Sequence, residues 1–202
     1  MKKMAALLLV LVMVLGMTTC ALADDKIKVG VSFANQKSKR FEYDAAYMKE
    51  VCDAAGAELI VQWANYDEEA QDTQVDNMIS QGIDVLILIA VNSNMSPLVE
   101  KVKGEGIPVV CYDNYIIDAD LDAYLDRDNF AGGVMQMQMT MDAIGGEGDI
   151  VVIHGEPTSS VVKGFKEGYD SVLAKYPGVK VVAEQYCPGY SAETALQIAE
   201  NA

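Results

Sequence analysis

Four methionines at alternate positions, Met135, Met137, Met139 and Met141, are this chain's nearest approach to a soft-metal site. On a helix, alternate residues do not share a face. Met135 pairs with Met139 and Met137 with Met141, so the spacing fits packing against a sheet better than copper. Asp120, Asp122, Asp126 and Asp128 offer carboxylates for calcium, but not at the spacing of a helix-loop-helix calcium site. A solvated acidic edge is the expectation there. Cys52 falls in a helical pattern, Cys111 in a buried strand and Cys187 alone. With no C-x-x-C and a single histidine, His154, closing a strand, neither a zinc nor a redox site is expected. Gly145, Gly146 and Gly148 do not lead from a strand into a helix, so they are no dinucleotide fingerprint. No nucleophile–histidine–acid set and no paired carboxylates at strand ends stand out. The residue chemistry therefore points to binding without catalysis and without a cofactor.

The elements that must position any binding residues are plainest between Asp67 and Asp113. Asp67 is placed to cap a helix, with Glu68 and Glu69 at its positive end and Val75, Met78 and Ile79 on one face. Gly82 closes it. Asp84 to Val91 then runs apolar on both faces, as a strand inside a parallel sheet must. Ser96 and Pro97 open the next helix as N-cap and first-turn proline, Gly106 ends it, and Pro108 to Tyr112 is another buried strand. Repeats of this unit build a doubly wound α/β domain, whose ligands sit beyond the carboxyl ends of the strands.

The same grammar extends both ways. Lys26–Phe33 reads as a strand, Phe41–Ala55 as a helix, Leu59–Trp63 as a strand, Tyr124–Leu125 as a short strand and Asn129–Ile144 as a helix. Gly145-Gly146-Glu147-Gly148 breaks the pattern and marks the expected crossing between an N-terminal lobe (24–145) and a second α/β lobe (146–202). The second lobe reads as strand Asp149–His154, helix Ser160–Lys175, strand Lys180–Gln185 and a helix from Ser191. Two strands and two helices are too few for a competent core, so that lobe is expected to be incomplete and the protein to continue past Ala202.

Residues 1–23 read as a signal peptide. Lys2 and Lys3 precede an apolar run from Met4 to Met17, and Ala21-Leu22-Ala23 forms a small-x-small cleavage site. The alternative is a lipoprotein anchored through Cys20, although Met17-Thr18-Thr19 is a poor approach to a lipidated cysteine. Lys2 and Lys3 leave with the signal, so 13 basic residues face 30 acidic ones, a formal charge of −17. That balance excludes nucleic acid, which needs a cationic surface. An exported, acidic protein is better suited to a small solute.

Lys28 to Phe33, Gln74 to Val85, Gly106 to Asp113, and Asp128-Asn129 with Gly133 together resemble, in order and spacing, the type I periplasmic sugar-binding proteins of ABC transporters, the D-xylose-binding members most of all. The resemblance covers essentially the whole mature chain. It implies a two-lobed fold of doubly wound parallel sheets that closes on a monosaccharide, a permease as partner, a monomer, and location in the periplasm or on the outer face of the cytoplasmic membrane. A chemoreceptor is a further partner of such proteins, so a signalling receptor for another small solute is the alternative. Matched by position, the resemblance assigns Arg40 to hydrogen-bond hydroxyls, Phe41 and Tyr190 to stack on opposite faces of the sugar, and Asn92, Asp113, Asn114 and Ser159 to line the cleft. Each has a plainer role open to it: Arg40 solvated, Phe41 a staple, Asp113 a turn brace, Ser159 a helix N-cap. Two departures stand out. Asn114 replaces an arginine of the xylose binders, and Ser159-Ser160-Val161 replaces their Asp-x-Asn triplet. A different pentose, a hexose or a non-sugar diol is therefore also compatible with the cleft.

Overall fold

A computed structural model of the chain describes residues 26–36 and 38–202. The expected signal peptide and Cys20 lie outside the described residues. Seven strands and six α-helices follow one another as β1 (Lys28–Phe33), α1 (Lys39–Ala55), β2 (Glu58–Trp63), α2 (Glu68–Ser80), β3 (Val85–Leu88), α3 (Ser96–Gly104), β4 (Val109–Tyr112), β5 (Ala123–Leu125), α4 (Asn129–Ile144), β6 (Gly148–His154), α5 (Ser160–Leu173), β7 (Val179–Tyr186) and α6 (Ala192–Glu200), with a 3₁₀ turn at Pro188–Tyr190 before α6. The first five strands form one sheet in the order β2-β1-β3-β4-β5, every neighbouring pair parallel. β6 and β7 form a second, parallel sheet. The doubly wound α/β reading holds, including the short fifth strand.

The strand order explains why the tips matter. β1 sits centrally, and the chain reverses its winding direction there, which opens a crevice beyond the carboxyl ends of β1 and β3. The core beneath it comes from Val31 and Phe33, Leu86 and Leu88, and Val109 and Cys111 in the sheet. Val75 and Met78 of α2 and Leu98, Val99 and Val102 of α3 cover it. Phe33 stacks on Trp63 at a centroid separation of 4.4 Å. Gly30 lies under this cover because a Cβ would sit 2.9 Å from Ile83 Cδ1.

β3 is shorter than the apolar run from Asp84 to Val91 predicts, and the reason is Gln71. This buried amide on α2 donates to Ser32 Oγ (3.0 Å) and to the Ile89 carbonyl (3.0 Å), and its Oε1 accepts from the Val91 amide (2.9 Å). A side chain thus satisfies backbone groups that a neighbouring strand would otherwise take, and residues 89–93 are free to turn into the cleft. At α3 the start also differs. Ser96 is the first helical residue, and Met95 occupies the cap without a side-chain bond. Asp67 does cap α2, accepting from the Ala70 amide at 2.9 Å.

The crossing between lobes falls earlier than the glycine cluster suggests. α4 does not pack on the first sheet. It lies along α5, and Met137 and Met141 share a core with Ile150, Val152 and Val172. The two helices approach until backbones touch: a Cβ on Gly133 would lie 2.3 Å from the Phe165 carbonyl oxygen, and one on Gly168 would lie 2.4 Å from that of Phe130. By packing, the boundary is Asp126–Asp128, and Gly145 only ends α4. The methionine pattern divides as helical geometry requires. Met137 and Met141 are core, while Met135 and Met139 are exposed. The aspartate run also divides. Asp122 holds Lys103 and the Val109 amide, Asp126 accepts from Tyr124 Oη (2.7 Å), and Asp128 caps α4 through the Ala131 amide (2.8 Å).

Candidate functional site

A cavity of about 350 Å³ opens between the two lobes at the strand tips. Asp113, immediately after β4, is its centre. The residue is buried and holds φ at 68°, a conformation that aspartate tolerates better than most non-glycine residues. The turn is held because the Asp113 amide donates to the Leu125 carbonyl (2.9 Å) and its own carbonyl accepts from Tyr124 Oη (3.2 Å). Two guanidinium groups then converge on a single carboxylate oxygen: Arg40 Nη2 at 2.8 Å and Arg127 Nη1 at 3.0 Å from Oδ1. Arg40 comes from the first turn of α1, after the β1 tip, and Arg127 from the loop after β5. Such a triad fixes long side chains in place while leaving N–H donors and Oδ2 for a ligand.

The aromatic arrangement differs from the expected sandwich. Phe41 lines the cavity, but it is buried. Its ring lies 5.4 Å from Phe33, and the Arg40 guanidinium carbon stands 4.5 Å from its centroid. The ring that faces Tyr190 across the cleft is Tyr66, at 6.1 Å and 28° between planes. Tyr66 follows the β2 tip with φ at 62°, and its phenol accepts from Asn35 Nδ2 at 2.8 Å. Burial first, then the neighbouring Tyr190 and Glu156, raise its phenol pKa above the ordinary value. Tyr190 ends the 3₁₀ turn, also at positive φ, and its ring packs against Gly155. A Cβ on Gly155 would come within 2.0 Å of the ring. Three of the five non-glycine residues with positive φ among the described residues thus line one cavity, a concentration of backbone strain typical of functional sites.

Asn114 and Ser159 reach the cavity in a role the sequence does not reveal. The Asn114 carboxamide joins the lobes. Its Nδ2 donates to the Ala90 carbonyl (2.9 Å), and its Oδ1 accepts from the Ser160 amide (2.9 Å), Ser160 Oγ (2.9 Å) and Ser159 Oγ (3.2 Å). Ser159 occupies the N-cap of α5 but makes no side-chain cap bond. The cap is supplied from the other lobe by Asn114. Around this centre the Tyr115 amide donates to Ser160 Oγ (2.7 Å), and the Ser93 amide donates to the Thr158 carbonyl (3.3 Å). The two departures from the xylose-binding pattern, at 114 and at 159–160, therefore bond to each other.

Of the expected ligand residues, Arg40, Phe41, Asp113, Asn114, Ser159 and Tyr190 line the same cavity, and Asn92 does not. Asn92 donates to Glu68 Oε2 (2.7 Å) and accepts from the Asn94 amide (2.8 Å), so it braces its own loop. Tyr66, Arg127 and Glu156 line the cavity and were not expected. Each follows a strand tip, β2, β5 and β6 in turn, as Arg40 and Asp113 follow β1 and β4. A second cavity, about 390 Å³, lies behind Tyr190 and Arg127 between β6, α5 and α6, lined largely by apolar residues such as Val162 and Phe165. His154 borders it, buried, with a ring nitrogen 2.8 Å from Glu184 Oε1. Among the described residues no group of three or more His, Cys, Asp or Glu is placed to hold a metal ion, and no helix is long and apolar enough to cross a membrane.

The chain as a whole is similar to known proteins. The chain is 35% identical over 204 residues to the D-xylose-binding periplasmic protein of Escherichia coli K12, a match covering 99% of this chain and 62% of that protein. It is 34% identical to the xylitol-binding protein of Mycolicibacterium smegmatis, over 84% of this chain and 50% of that one. A solute-binding protein of an ABC transporter from Mycobacterium smegmatis, solved with bound glycerol, superposes with a TM-score of 0.80 at 28% identity, covering 87% of this chain and 61% of that structure. The chain thus spans somewhat under two thirds of the length of the relatives it matches. Residues 29–202 match the family model described as the periplasmic binding protein domain, and the chain belongs to that family.

Proposed function

We propose that this chain forms most of the clamp of an exported solute-binding protein that captures a monosaccharide between two lobes and delivers it to an ABC permease without transforming it. The observation that carries this reading is the convergence of Arg40, Asp113 and Arg127 in an interlobe cavity that also holds the rings of Tyr66 and Tyr190. A sugar has a rim of hydroxyls and apolar C–H faces. Charged donors and acceptors bind the rim with stronger hydrogen bonds than neutral groups do, and aromatic surfaces cover the faces. The cavity volume lies near the lower end of the usual range for small-molecule sites, about 300–1,000 Å³. That size suits a single sugar ring rather than an oligosaccharide. Relatives that bind xylose and xylitol support a small polyol as the solute.

Export through residues 1–23, and release into the periplasm rather than anchoring through Cys20, complete the proposal. Thermal unfolding of the intact protein against a panel of pentoses, hexoses, their alditols and their amino derivatives tests it. A ligand at 100 times its Kd stabilises by about 2.7 kcal/mol, a readily measured shift. No shift across the panel would refute the reading.

A further inference from the structure

The cleft has two chemically different ends. At one, Arg40 and Arg127 both pair with Asp113, so that carboxylate is already compensated. At the other stands Glu156, just past β6. Its Oε2 accepts from the Gly189 amide at 3.0 Å and its Oε1 from Thr158 Oγ1 at 3.2 Å. These bonds fix the carboxylate in the cavity wall and leave lone pairs unfilled. The ion pairs among the described residues place both cavity arginines on Asp113 and none on Glu156. Glu156 therefore keeps acceptor positions that no cation of the described residues contacts directly, and a ligand cation can pair with them. Two further features agree. The Tyr66 phenol is raised above its ordinary pKa, by burial first and then by its neighbours Tyr190 and Glu156, so Glu156 adds negative potential to this end of the cleft. The chain as a whole carries a formal charge of −15, which concentrates cations rather than anions at its surface.

We infer that the solute is a monosaccharide bearing an ammonium group, with Glu156 as its counter-ion and the Arg40–Asp113–Arg127 triad reading its hydroxyls. This rests on the sugar-cleft reading above and narrows it to amino sugars and their close analogues. Tyr66 and Tyr190 contribute ring faces and phenol oxygens next to Glu156, surfaces that favour a cation over a neutral substituent.

The test is calorimetric titration of the intact protein at neutral pH with the 2-amino-2-deoxy derivatives of glucose, galactose and mannose, each beside its neutral parent and its N-acetyl form. At least one amino sugar is expected to bind tenfold or more tightly than both neutral counterparts. Glu156→Gln should bring that ratio close to one. A purely structural Glu156 would lower all three affinities together and leave the ratio standing, which would overturn the inference. Neutral sugars binding as well as every amino sugar would also overturn it while sparing the sugar cleft. Failure of all these compounds to bind would overturn it, and failure of the pentoses and alditols as well would remove the sugar cleft with it.

Discussion

Asp113 does two jobs. It bends the chain after β4 and gathers two arginines, so its substitution should affect binding more than any single arginine does. Replacing Arg40 by Ala removes one charge-assisted donor and should weaken solute binding by about 1.5–3 kcal/mol in a titration of the intact protein. Unchanged affinity would take Arg40 out of the site. Asp113→Asn keeps the backbone conformation within reach but leaves two guanidinium groups without their shared acceptor. It should cost at least as much, with little change in the unfolding midpoint of the free protein. Arg40 and Asp113 are legible because they match positions of the resembled family and stand at strand tips, where such folds bind. Tyr66 is not, since its place depends on a tyrosine held at positive φ, a conformation that β2's flanking residues do not announce. Position alone makes Phe41 a stacking ring. The structure turns Arg40 onto its face, and neither local spacing nor hydrophobicity carries that information.

Between elements, the firmest contacts are the ones sequence could least supply. Element order and type could be read along nearly the whole described chain, because parallel strands buried on both faces and capped helices have strong local patterns. The pairing of Asn114 with Ser159 and Ser160 could not, as it joins residues 45 and 46 positions apart in separate lobes. Ser160→Ala removes one hydroxyl that serves both Asn114 and the Tyr115 amide. The ligand-free intact protein should then open further, seen as a larger radius of gyration in solution scattering. An unaltered radius would mean that this cluster does not hold the lobes together. The α4–α5 contact makes a separate prediction. Gly168→Ala places a methyl against the Phe130 carbonyl and the Val134 amide and should destabilise the second lobe by about 1–3 kcal/mol in urea unfolding. In the same lobe, hydrogen bonds from Lys166 and then His154 hold the Glu184 pKa below its ordinary value. A depressed carboxylate stabilises the fold above its unfolded pKa, and that stability is lost as pH falls through the folded one. Glu184→Gln should therefore flatten the acid limb of the melting curve. An unchanged limb would show that other carboxylates set it.

For the whole molecule, two lobes each with its own core meet at the strand tips, and the described crossing between them is the short Asp126–Asp128 segment. The expected boundary at Gly145 followed the glycines, which mark a helix end, whereas the true boundary is set by which sheet α4 covers. Tertiary packing decides that, and the amphipathic pattern of one helix does not name its partner. On the proposed function, two lobes joined this way would enclose a solute by relative motion. The most direct measurement is a crystal structure of the intact protein grown with the best ligand from the sugar panel. The expected result is a single sugar ring in the interlobe cavity, its hydroxyls within hydrogen-bond distance of Arg40 and Asp113 and its face against Tyr190. A ligand seated outside that cavity, or one that touches none of these three residues, would contradict it.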